Sequence, residues 1–67
     1  MTIETLETLR IERDGGIVHV MLHRPEVRNA FNEVLGAELA KTFSSFDASV
    51  RAVILSGAGP VFSAGAD

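Results

Sequence analysis

Cysteine is absent from these 67 residues, so no disulfide can staple the chain, and no cluster of metal ligands takes a staple's place. A chain of this length lies below the size at which a single core comfortably carries a fold. The sequence is therefore expected to be incomplete and to bury its apolar surface against a further layer, either the remainder of a larger domain or a partner. Clustered basic charge is also lacking. Six Lys and Arg residues are scattered against nine Asp and Glu, for a net charge of −3, which argues against a nucleic-acid surface but leaves single arginines able to meet phosphate on a small ligand. No apolar run approaches the ~20 residues that cross a bilayer, and the chain does not open with a charged segment followed by an apolar one. No membrane span is expected, and the expected location is cytoplasmic, with an organelle matrix as the other option. What is present, 46% hydrophobic and 22% charged residues, is the composition of a folded segment with buried strands.

The patterning reads as β-β-α-β. Residues 2–8 are polar and acidic enough for a frayed start, and the alternation of Leu9 and Ile11 with Arg10 and Glu12 predicts a first strand over residues 6–13. Asp14-Gly15-Gly16 tolerates positive φ and leads into Ile17-Val18-His19-Val20-Met21-Leu22, which predicts a hairpin whose second strand is buried on both faces. Pro25 biases Arg24 to extended backbone, making residues 23–30 a loop into a helix that Asn29 or Asn32 can cap. Leu35, Leu39, Phe43 and Phe46 recur at helical spacing and predict a helix over 32–47, with Glu33 and Glu38 early and Lys41 late, as the helix dipole favours. Ala52-Val53-Ile54-Leu55 predicts a buried third strand, followed by the turn Ser56-Gly57-Ala58-Gly59-Pro60. A helix between the second and third strands makes those two parallel.

Several catalytic patterns fail. Ser63, His19, His23 and Asp67 are the ingredients of a nucleophilic triad, but the Gly-x-Ser-x-Gly turn is missing, since Val61 stands where its first glycine belongs. His19 lies mid-strand and reads as a satisfied, partly buried histidine. Ser56-Gly57-Ala58-Gly59-Pro60 lacks the third glycine of a dinucleotide loop and the Gly-Lys-Ser/Thr of a phosphate loop, so it reads as a tight turn. No carboxylate sits in an apolar pocket that would raise its pKa, and no metal site is implied.

The loop after the second strand and the segment Phe62-Ser63-Ala64-Gly65-Ala66-Asp67 remain. Both lie at the carboxyl ends of adjacent parallel strands, where open α/β sheets bind ligands. Arg24 and Arg28 can there meet an anion while Ala64 to Asp67 present backbone N–H groups to it. An equally weighted alternative leaves the arginines in solvent and makes Ala64-Gly65-Ala66 a packing turn.

At these residues the sequence resembles the enoyl-CoA hydratase/isomerase family, or crotonase superfamily. The strand Ile17–Leu22, His23-Arg24-Pro25-Glu26-Val27-Arg28-Asn29-Ala30-Phe31-Asn32, the Leu/Phe helix, Arg51-Ala52-Val53-Ile54-Leu55-Ser56-Gly57 and Phe62-Ser63-Ala64-Gly65-Ala66-Asp67 occur in the family's order and spacing, over nearly the whole chain. The resemblance implies an α/β fold, the ββαβ N-terminal part of a spiral of ββα units, forming one incomplete crotonase domain over residues 1–67. It implies acyl-coenzyme A thioesters as substrates, with coenzyme A as part of the substrate and no separate cofactor. An enolate-like oxyanion would be held between two peptide N–H groups, the first from Ala66 and the second from a glycine beyond this chain. Ala64, Gly65 and Asp67 fall in the segment lining the adenine and thioester, and Glu26, Val27 and Arg28 match the loop that contacts coenzyme A. The family's acid and base carboxylates come later in its chains. Hydration of 2-enoyl-CoA or enoyl-CoA isomerisation is the implied reaction, and homotrimers, often paired into hexamers, the implied assembly. The alternative is a non-catalytic CoA-binding or assembly protein on the same scaffold.

Overall fold

A computed structural model describes residues 1–65; Ala66 and Asp67 lie outside the described residues. Its elements run β1 (Thr2–Thr5), β2 (Leu9–Asp14), β3 (Ile17–Leu22), a 3-10 turn (Pro25–Val27), α1 (Glu33–Ser44) and β4 (Ala52–Gly57). The strands form one sheet in the order β1-β2-β3-β4. The first two pairings are antiparallel, while β3 and β4 are parallel, with Val20 opposite Leu55. The α/β class and the ββαβ order are as expected, with one further strand in front.

That further strand corrects the expectation of a frayed start. Thr2, Ile3 and Thr5 are β-branched and pair with Arg13, Glu12 and Arg10, as residues suited to a pleated surface do. The first strand expected over residues 6–13 is divided at its start, because the Leu6 N–H donates to the Leu9 carbonyl at 2.8 Å and turns the chain there. The glycine turn behaves as read: Gly15 has φ +61°, and the hairpin closes with Asp14 opposite Ile17.

Asn32 caps α1, its side-chain oxygen accepting the Leu35 N–H at 2.8 Å. The helix stops at Ser44 rather than residue 47. The hydroxyls of Ser44 and Ser45 turn back onto the carbonyls of Ala40 and Thr42, and Asp47 takes the N–H and hydroxyl of Ser49, so local side-chain bonds end the helical run. The buried face of the helix is also rotated from the expected stripe. Leu35 and Thr42 are buried, Leu39 and Phe46 pack against the core, and Phe43 stays 44% exposed.

The core sits between α1 and one face of the sheet, where Leu9, Ile11, Val18, Val20, Leu22 and Leu35 form a cluster. Two expectations of burial are corrected here. In β3 only Val18, Val20 and Leu22 are buried, while Ile17 on the opposite face is exposed. In β4, Val53, Ile54 and Leu55 are all exposed. The cause is geometric: α1 lies against β2, and β4 is an edge strand with no layer over either face among the described residues.

Candidate functional site

Because β3 and β4 run parallel with Leu22 opposite Gly57, the chain leaves both strands on one side of the sheet. The Ala58 N–H continues the pairing by donating to the Leu22 carbonyl at 2.8 Å. Gly57 is required at this junction, since a Cβ there would lie 2.8 Å from both the Asn29 side-chain nitrogen and Phe62 Cα, closer than side chains tolerate.

The two loops meet on Asn29, which is fully buried and has φ +56°, as does Arg28 before it. Asparagine accepts this left-handed backbone more readily than most residues. Its Oδ1 accepts the Arg24 N–H at 2.8 Å, holding its own loop closed. Its Nδ2 crosses to the other loop and donates to the carbonyls of Ala58 at 2.7 Å and Val61 at 3.0 Å. Its main-chain carbonyl accepts the Ser63 hydroxyl at 2.8 Å, and the same hydroxyl oxygen accepts the Gly65 N–H at 3.1 Å. Two main-chain bonds complete the seam, Ala64 N–H to the Arg28 carbonyl at 2.9 Å and Phe31 N–H to the Gly65 carbonyl at 2.8 Å. The Arg24 guanidinium donates to the Ala30 carbonyl, so this arginine builds the loop.

Around this seam Glu26, Val27 and Arg28 are exposed on and just after the 3-10 turn, and Ala64 and Gly65 are exposed on the facing strand of chain. The expected juxtaposition of the two loops is observed, but the amides differ from expectation. Those of Ala64 and Gly65 are bonded within the protein, while Ala66 and Asp67, the other two residues of that expectation, lie outside the described residues. Gly65 has φ +93°, a conformation that turns the chain just before Ala66 and that few L side chains adopt.

The nucleophilic triad that the sequence argued against does not assemble among the described residues either. Ser63 serves the seam, and His19 shares a hydrogen bond with Ser56 at 2.6 Å on the sheet. Glu12 approaches His19 Nδ1 at 3.8 Å, so β2, β3 and β4 each contribute one polar group to a cross-strand row that sequence spacing did not reveal. His19 is thus the satisfied, half-buried histidine expected of it. Among the described residues no group of three or more His, Cys, Asp and Glu side chains is placed to hold a metal ion, and no helix is long and apolar enough to cross a membrane.

Sequence reasoning also missed Asn29 as the keystone, having offered it only as a helix cap. Its available signal was position: a short polar residue in a turn before an independent cap at Asn32.

The model of a family described as "Enoyl-CoA hydratase/isomerase" matches residues 12–67. The chain belongs to the enoyl-CoA hydratase/isomerase family. A human relative named "Delta(3,5)-Delta(2,4)-dienoyl-CoA isomerase, mitochondrial" is 45% identical over 91% of this chain and 20% of its own length. One from Rhizobium meliloti, named "Probable enoyl-CoA hydratase", is 43% identical over 91% of this chain and 24% of its own. The crystal structure of an enoyl-CoA hydratase/isomerase from Marinobacter aquaeolei superposes with a TM-score of 0.86 at 44% identity, over 92% of this chain and 24% of that one. The chain thus has the crotonase fold of that structure over about a quarter of its length, and it spans a fifth to a quarter of the two curated relatives named.

Proposed function

We propose that this segment belongs to an enzyme acting on acyl-CoA thioesters, an enoyl-CoA hydratase or enoyl-CoA isomerase, and supplies half of a backbone oxyanion hole through the amide of Ala66. The observation that carries this reading is the seam of the two loops. It leaves Arg28 and the 3-10 turn exposed beside the chain leading to Ala66, so one ligand can meet both. The two named relatives above, an isomerase and a hydratase, support the substrate class and both reaction types.

Glu26, Val27 and Arg28 would line the coenzyme A moiety, with Arg28 offered to its phosphates, while Ala64, Gly65 and Asp67 would flank the thioester and adenine. When the α-proton leaves or water adds at the β-carbon, the thioester oxygen gains negative charge. A peptide N–H aimed at it stabilises that charge without acting as a competing base. The positive φ of Gly65 permits a turn that would aim the next amide. The rest of the crotonase domain would supply the second donor and the acid or base carboxylates, and trimeric assembly belongs to the same reading. The mitochondrial location in the human relative's name and a cytoplasmic one are both compatible with it.

The test is Ala66→Pro in the protein at its natural length, which removes the N–H and also fixes φ at that position, so folding is checked alongside turnover. Turnover of an enoyl-CoA should fall ~10²–10³-fold, whereas Ala66→Ser should change it far less. Near-normal turnover by a folded Ala66→Pro protein would sink the assignment. Binding of CoA thioesters with no turnover by the unmodified protein would favour a non-catalytic CoA-binding role instead.

A further inference from the structure

We infer that Asn29 and Ser63 are positioning residues: together they form a polar clamp that fixes where the chain enters the proposed oxyanion site. The inference rests on the functional reading above and deepens it, because neither side chain need touch substrate.

The geometry singles out these two side chains. Asn29 is 0% exposed, so its bonds are unscreened and none can be exchanged freely for water. Its Nδ2 holds the β4 loop at two carbonyls, Ala58 and Val61, while Oδ1 holds the β3 loop at the Arg24 N–H. One planar group therefore sets the spacing between the loop offered to coenzyme A and the loop that approaches the thioester. Ser63 extends the control toward Ala66. Its hydroxyl donates to the Asn29 carbonyl and accepts the Gly65 N–H, which fixes the peptide immediately before the Gly65–Ala66 link. An amide donor must be aimed to within a fraction of an ångström to favour the transition state, so losing the clamp should weaken oxyanion stabilisation more than ground-state binding.

The side chains make distinguishable variants available. Asn29→Asp keeps the left-handed backbone and the acceptor facing Arg24, but places a carboxylate oxygen against the carbonyls of Ala58 and Val61, so the β4 loop alone is released. Ser63→Ala removes both hydroxyl bonds at a site that is only half-buried.

The experiment compares the natural-length wild type with these two variants. It measures coenzyme A affinity, steady-state turnover of an enoyl-CoA, amide hydrogen exchange at Ala64 and Gly65, and the ultraviolet enolate band of bound acetoacetyl-CoA, which grows as N–H donors polarise the carbonyl oxygen. Asn29→Asp should lower kcat by ~10–100-fold and the enolate band at least about fivefold, with coenzyme A affinity held within about threefold. Ser63→Ala should lower kcat by about 3–10-fold, and both variants should speed exchange at the two amides. Unchanged kcat and band in either folded variant would overturn the inference, as would a parallel loss of coenzyme A affinity and band, the mark of a merely structural role. Should Asn29→Asp fail to fold, Ser63→Ala decides alone. A wild type that neither binds nor polarises acetoacetyl-CoA would sink the functional reading and the clamp's use in it, while exchange at Ala64 and Gly65 would separately show whether the clamp holds the chain.

Discussion

Glu38 reaches from α1 to the bend between β1 and β2, where its carboxylate accepts the Glu7 N–H at 3.1 Å, the Thr8 N–H at 2.8 Å and the Thr8 hydroxyl at 2.5 Å. Burial raises its pKa, but the Thr8 hydroxyl and the two main-chain bonds outweigh that and hold it below the usual carboxylate range. A carboxyl depressed on folding contributes stability that is fully present above its unfolded pKa and is lost as pH falls through the folded one. Glu38→Gln should therefore lower the unfolding free energy at neutral pH by about 1–2 kcal/mol, because Thr8 is buried and loses a charged acceptor. The gap from wild type should close in acid, once Glu38 is itself protonated. Urea titrations at two pH values check this, and a gap independent of pH would remove Glu38 from the account.

At the scale of elements, the order of strands and helix was legible because each period is strong. Leu9, Ile11 and the run from Ile17 announce strands, and Asn32 supplies the cap that starts α1. The face of the helix was less legible. Hydrophobicity favours Phe43, yet Thr42 occupies the inward position at 5% exposure and Phe43 leans on Phe46 with ring centroids 5.2 Å apart. A seven-residue spacing from Leu35 to Thr42 returns to the same side of the helix. Leu35→Ala should thus cost about 2–5 kcal/mol, as for a filled core site, and Phe43→Ala about 1 kcal/mol or less, the scale of one aromatic pair. Chemical denaturation of each variant checks the ranking, and reversed costs would restore the stripe read from hydrophobicity. The seam was illegible for a different reason: Asn29 acts through bonds 29–34 residues away in sequence, and no local period reports such a contact.

For the whole molecule, the apolar surface is unevenly covered. The sheet face under α1 is closed over Val18, Val20 and Leu22, while β4 leaves Val53 38%, Ile54 52% and Leu55 45% exposed. Ile17, 48% exposed, precedes His19 by two residues and so shares the outer face with Ile54, which pairs with His19. Contiguous apolar residues on an edge strand invite another layer or strand, since the strand's free edge and both its faces gain from burial. This is the physical counterpart of a chain that spans only a fifth to a quarter of its relatives. Ile54→Lys separates the two settings in which β4 can exist. In the 67-residue polypeptide alone it should reduce self-association and apolar-dye binding, because a charge on an open edge discourages pairing. In the natural-length protein, with a second layer packed on that face, the same lysine would be buried without a partner and should lower stability by several kcal/mol. Sedimentation and dye binding of the short polypeptide, set beside denaturation of the long one, give opposite signs if β4 is an internal strand of a larger core. Tolerance of the lysine in both would mean that the outer face of β4 stays in water.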